Sequence, residues 1–118
     1  MRIVLSESQR ERFKQVLETR IAELEHALAT AEQEAREGAA KHADPADQAA
    51  SEYERQSLVH QAATARQMIK NLTQALERMR QGTFGECAEC GGDIELKRLE
   101  AIPWARYCVR CQEASERG

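Results

Sequence analysis

The sequence predicts a mainly α-helical protein, a long antiparallel coiled-coil hairpin carrying a small four-cysteine zinc-finger head. Three observations predict it. Two stretches repeat apolar residues at alternating steps of four and three, a proline-bearing break separates them, and four cysteines form two Cys-x-x-Cys pairs near the carboxyl end. Composition agrees: aromatic residues make up 4% of the 118 residues and charged residues 31%, too little apolar bulk for a wide core but suited to solvated helices. The expected organisation is an amino-terminal segment and hairpin over 1–81, with its tip at about 39–50, then a zinc-finger domain and tail over 82–118.

The first helix is expected from Ser6 to about Gly38. Ser6 with Gln9, or Ser8 with Glu11, supplies a capping box at its start, in which each side chain bonds the other residue's backbone amide. Leu17, Ile21, Leu24, Leu28, Ala31 and Ala35 then recur with a heptad rhythm, which keeps one narrow stripe facing a partner helix. The second helix, from about Ala46 to Arg80, repeats the rhythm through Leu58, Ala62, Ala65, Ile69, Leu72, Leu76 and Met79. Two seams of similar length joined by a short link fold back on each other, and Gly38 and Pro45 oppose the rival arrangement, a parallel dimer of continuous rods. The chain is therefore expected to be a monomer. Ala27, Ala31 and Ala35, with Ala62 and Ala65 opposite, should let the backbones approach closely near the turn. His26, His42 and His60 fall off the seams and are expected to be exposed.

At the turn, Asp44 before Pro45 reads as a helix start, with Asp as N-cap and Pro at the first helical position. Asp47 adds a negative charge at the positive helix terminus. Capping explains both carboxylates. The alternative is that the narrow tip displays them for function.

The head holds Cys87-Ala-Glu-Cys90 and Cys108-Val-Arg-Cys111, with 17 residues between the pairs. Zn²⁺ takes four ligands tetrahedrally, and a two-residue spacer lets one tight turn aim two sulfurs at one point. Gly85 before the first pair and Gly91-Gly92 after it are expected to supply positive-φ backbone. Redox Cys-x-x-Cys centres would need a thioredoxin-like βαβ setting, which the sequence lacks. Disulfides conflict with a reducing cytosol. Four thiolates close the coordination sphere, so the expected cofactor is one structural Zn²⁺, stabilising a head too small to fold well alone. Ile94, Leu96, Leu99, Ile102, Trp104 and Tyr107 are its expected apolar stock, and Lys97, Arg98 and Arg106 are candidates for a basic surface.

The charge pattern excludes several classes. With 17 basic and 20 acidic side chains the net charge is −3, and no basic block is present to grip phosphates, so sequence-specific DNA binding is not expected. The amino terminus offers only Ile3-Val4-Leu5 as an apolar run, against about 7–15 residues for a signal peptide and about 20 for a membrane span, so a cytoplasmic location and no membrane partner are expected. No nucleophile–base pair or open metal position suggests an enzyme.

The run from Gly82 to Ile94 (GTFGECAECGGDI), then Arg98-Leu-Glu-Ala-Ile-Pro103, then Cys108-Val-Arg-Cys111, resembles the zinc finger of the DksA/TraR family. The tip, Asp44-Pro-Ala-Asp47-Gln-Ala49, resembles the Asp-Pro-x-Asp-x-Ala motif of its DksA-like members. The resemblance spans the second half of the first helix through the carboxyl end. It implies a regulator that binds bacterial RNA polymerase, inserting the coiled coil into the secondary channel and altering open-complex stability, often together with guanosine tetraphosphate as in the stringent response. It implies a functional role for Asp44, Asp47 and Ala49 at the polymerase-binding tip. The sequence departs from the best-known members where basic residues help hold the nucleotide. Aligned on the cysteines, those positions are Asn71, Ile102 and Gln112, and the loss of three cations weakens recognition of a tetra-anion, although Arg66, Lys70, Lys97 and Arg98 lie nearby in sequence. Alternative functions are a transcript-cleavage or anti-backtracking factor using the same channel, a coiled-coil zinc-finger adaptor for other proteins, and a thiol-based redox sensor.

Overall fold

The structure, a computed structural model, describes residues 5–39 and 45–117, with the backbone alone described for 38–39 and 45–51. Four helices are present among these residues: α1 (Glu7–Ala39), α2 (Pro45–Gln81), α3 (Leu96–Ala101) and α4 (Val109–Arg117). The described parts of Met1–Arg20 and Asn71–Gly118 form one compact unit, and those of Ile21–Lys70 form another.

Of the two candidate caps for α1, the structure uses Ser6 and Gln9. The Ser6 amide donates to Gln9 Oε1 at 2.9 Å, and the Gln9 amide donates to Ser6 Oγ at 3.1 Å. Two of the helix's orphan donors are thereby satisfied reciprocally. Ser8 and Glu11 lie inside the helix. α2 begins at Pro45, where the proline's missing amide costs nothing. It ends in a Schellman motif, with the Gly82 amide donating to Met79 O at 3.2 Å and the Thr83 amide to Arg78 O at 2.9 Å. Gly82 takes φ 80°, the left-handed turn this motif requires.

The unit Ile21–Lys70 is a two-helix hairpin. Ile21, Leu24, Leu28, Ala31 and Ala35 of α1 are half-buried, as are Leu58, Ala65 and Ile69 of α2, and Ala62 is buried. Glu32 and Arg66 pair across the helices. His26 and His60 are exposed, and His42 lies outside the described residues. Ala27 departs from expectation. It is exposed, because it flanks the stripe and a two-stranded seam is too narrow to cover the flank.

The other unit combines the start of α1, the end of α2 and the cysteine-rich segment. Its core is Phe13, Ile94, Leu99 and Ala105 with Cys87 and Cys108, and Leu5, Met79, Phe84, Leu96, Ile102 and Tyr107 pack against it in part. Leu17, Leu72 and Ala75 are also buried. The rings of Phe13 and Phe84 meet at 5.5 Å with a 53° tilt, a favoured aromatic arrangement. Helical residues therefore complete the core that the finger cannot fill alone. Trp104 is half-buried rather than central, and its ring lies under the Arg20 guanidinium at 5.1 Å. Among the described residues, no helix is long and apolar enough to cross a membrane.

Candidate metal centre

The first cysteine pair sits on a tight knuckle. The Cys87 amide donates to Gly92 O at 2.7 Å, the Gly91 amide to Cys87 O at 3.0 Å, and the Ile94 amide to Gly85 O at 2.8 Å. These bonds, with an antiparallel bridge between Glu86 and Asp93, return the chain on itself around Cys90. Gly85 and Gly91 take positive φ as expected, but Gly92 does not. Gly92 is small for a different reason: a Cβ there would stand 3.4 Å from Cys90 Sγ, tighter than most such contacts.

The second pair is delivered by a segment without sheet partners. Its carbonyls are instead taken one by one. Arg78 Nη2 donates to Trp104 O at 3.3 Å and Ala105 O at 3.4 Å. The Ala88 amide donates to Arg106 O at 2.7 Å, and Arg98 Nε donates to Tyr107 O at 2.9 Å. Arg98 is thus an internal tether rather than part of a free basic surface, and Arg106 lies 5.6 Å from the Tyr107 ring centre. Glu95 Oε2 accepts the Val109 amide at 3.2 Å, capping α4 from outside its own chain segment. No sequence pattern marked Glu95 or Arg78 for these contacts, because each partner lies at least fourteen positions away.

The four sulfurs of Cys87, Cys90, Cys108 and Cys111 lie within 4.8 Å of one another, and those of Cys90 and Cys108 are 4.0 Å apart. A tetrahedron of sulfurs about 2.3 Å from Zn²⁺ has edges of about 3.8 Å, so small adjustments suffice. Cys87 and Cys108 are buried, Cys111 is half-buried and Cys90 is exposed. Burial opposes the Cys87 thiolate, but the backbone amides of Cys90, Cys108 and Glu89 outweigh it and lower the pKa to about 6. Hydrogen bonds with the Cys108 and Cys87 sulfurs, aided by burial, push Cys111 up to about 12. Ionisation of Cys87 is thus favoured and that of Cys111 opposed, and a bound dication would remove the opposition.

Two family matches cover nearly the whole chain. Residues 82–117 match the prokaryotic dksA/traR C4-type zinc finger, and residues 9–79 match the amino-terminal domain of DnaK suppressor protein DksA. The chain belongs to the DksA/TraR family. The RNA polymerase-binding transcription factor DksA of Salmonella typhimurium is 31% identical over 112 residues, covering 95% of this chain and 74% of the relative. The Caulobacter vibrioides protein of that name is 43% identical over 76 residues, 64% of this chain and 54% of the relative. Among solved structures, transcription factor DksA2 from Pseudomonas aeruginosa superposes with a TM-score of 0.86 at 29% identity, covering 95% of this chain and 86% of that one.

As a DksA/TraR protein with a C4-type finger, the chain carries one structural zinc ion, and the clustered cysteines are the donor set present for it. Of the predicted tip residues, Asp44 lies outside the described residues. Asp47 and Ala49 lie on the first turns of α2, but their side chains are outside the described set.

Proposed function

We propose that this protein is a transcription regulator that binds RNA polymerase. Its zinc would be held by Cys87, Cys90, Cys108 and Cys111, with a helical arm over 1–81 and a finger over 82–118. The carrying observation is the continuous alignment with the Salmonella RNA polymerase-binding factor, which runs through both helical and finger parts. In this reading the hairpin enters the polymerase secondary channel, and Asp44, Asp47 and Ala49 act near the active centre to alter open-complex stability. The protein works in the cytoplasm as a monomer, without catalysing a reaction and without reading DNA sequence. Closure of the coordination sphere by four sulfurs supports a structural rather than catalytic zinc.

Weak response to guanosine tetraphosphate belongs to the same proposal. Ile102 is partly buried against the head core, and the Gln112 side chain donates to Glu116 at 3.1 Å. Neither these residues nor Asn71 offers the positive charge a tetra-anion demands.

The test uses purified RNA polymerase and the Asp44→Asn/Asp47→Asn double variant. The wild-type protein should bind polymerase and shorten or lengthen open-complex lifetime on a responsive promoter. The double variant should still bind but no longer shift that lifetime. Asn caps a helix about as well as Asp, so capping alone would leave regulation intact. Full regulation by the variant at matched occupancy would return both acids to the role of caps. Failure of the wild type to bind would overturn the polymerase reading, and stimulated cleavage in stalled complexes would favour a transcript-cleavage factor.

A further inference from the structure

The segment 104–107 must deliver Cys108 to the metal, yet it has no strand beside it. Its four successive carbonyls are each held by a donor from elsewhere: Arg78 on Trp104 and Ala105, Ala88 on Arg106, and Arg98 on Tyr107. Two of these holders are arginine side chains. Arg98 belongs to α3 within the finger, but Arg78 belongs to α2. The Arg78 guanidinium is part-buried at the contact. Its own carbonyl is also engaged, by the Thr83 amide of the helix-terminating turn at 2.9 Å. A residue of the last turn of α2 thus reaches across to fix the loop that carries the second cysteine pair.

We infer that Arg78 is a positioning residue for the zinc site, coupling the end of α2 to the placement of Cys108 and Cys111. Both carbonyls are met by one nitrogen, Nη2, whose two N–H groups are fixed in the guanidinium plane, whereas a lysine ammonium is a freely rotating, strongly hydrated point charge. Groups outside the ligand set that orient ligands commonly govern how firmly a metal is kept. The coupling is reciprocal. Whatever Arg78 contributes to zinc retention, bound zinc contributes equally to the contact between α2 and the loop. Trp104, the only tryptophan, sits in that loop with its ring under Arg20, so its emission reports the contact.

The experiment first confirms stoichiometric zinc in the wild-type protein, so that failure of the zinc assignment itself is seen separately. Zinc release to a chromogenic chelator is then compared for wild type, Arg78→Met, Arg78→Lys and Arg80→Met. Arg80 pairs with Glu77 on the surface, so its variant makes the same charge change without touching the loop. Arg78→Met keeps the aliphatic stem and should release zinc about tenfold faster, the lower end of effects for such supporting groups. Helix content should be unchanged and Trp104 emission red-shifted. Arg78→Lys should fall between, and Arg80→Met should match wild type. A folded Arg78→Met protein that keeps zinc as long as wild type would overturn the inference, as would equal acceleration by Arg80→Met. If Arg78→Met does not fold, Arg78→Lys decides on the same release rate. Lysine releasing zinc as slowly as arginine would then overturn the inference.

Discussion

Between Ile21 and Lys70 the only described side chain that is buried is Ala62, and the rest of the seam is half-buried. In the head unit Leu17, Leu72, Ile94 and Leu99 are each sealed from solvent, although much of that unit is short loop and helix. The hairpin spreads weak contacts along a repeating stripe, and its helices are stabilised mainly by the sum of that packing. The head concentrates its stability in a few residues drawn from distant parts of the chain and in a metal site. Periodic structure tolerates local damage better than a small core closed by one ion.

Four measurements can break or sharpen that contrast. The largest effect is expected from Cys108→Ser. Zinc content should fall from about one per chain toward zero, and the head should lose its ordered core, since structural zinc sites supply on the order of 10 kcal/mol of folding free energy. The hairpin's helical circular dichroism should largely persist. An apo protein with unchanged thermal stability would show that the head does not depend on its metal.

Next in size is one substitution placed in both units. Leu99→Ala should cost about 2–5 kcal/mol, because it opens a cavity in a sealed core. Leu58→Ala in the half-exposed seam should cost about 1 kcal/mol, since less apolar surface returns to water and solvent fills the gap. Denaturant unfolding monitored by Trp104 for the head, and by helix signal for the whole, would expose equal costs and erase the distinction.

A smaller effect tests the boundary where α2 stops. Adding a Cβ at Gly82 meets nothing within 4 Å, so Gly82→Ala carries only the cost of a left-handed residue, about 1 kcal/mol. A neutral result in thermal unfolding would mean that the Schellman turn shifts freely. The smallest effect belongs to the exposed pair that bridges the hairpin. Arg66→Met should cost no more than about 0.5 kcal/mol and lose even that at high salt, because both side chains are more than two-fifths exposed. A larger loss would mean that the hairpin relies on a specific tie rather than on its stripe.

Much of this architecture was legible before any coordinates. The heptad residues from Leu17 to Ala35 and from Leu58 to Met79 are all at least half-buried, because helical period alone decides which side chains share a face. The capping box could be narrowed to two candidates, and only the helix register selected Ser6 with Gln9. The spacing of the cysteines announced their convergence, since each Cys-x-x-Cys turn is a local geometry. Ala27 was misjudged because the width of a covered stripe depends on how many helices cover it. Gly92 was misjudged because its smallness answers to Cys90 Sγ rather than to its own backbone angle.

The sequence by itself determined two helices, a break at Pro45, and a four-sulfur cluster with its metal, all through interactions reaching a few residues along the chain or repeating with the helix period. Only the tertiary structure decided that Phe13 completes the finger's core, that Glu95 caps α4, and that Arg78 holds the loop before Cys108. The core gathers residues as far apart in the chain as Phe13 and Cys108. Such pairings follow from which surfaces and unsatisfied carbonyls meet once the helices have packed. No local propensity encodes that meeting, because a buried carbonyl accepts any donor that folding brings within reach.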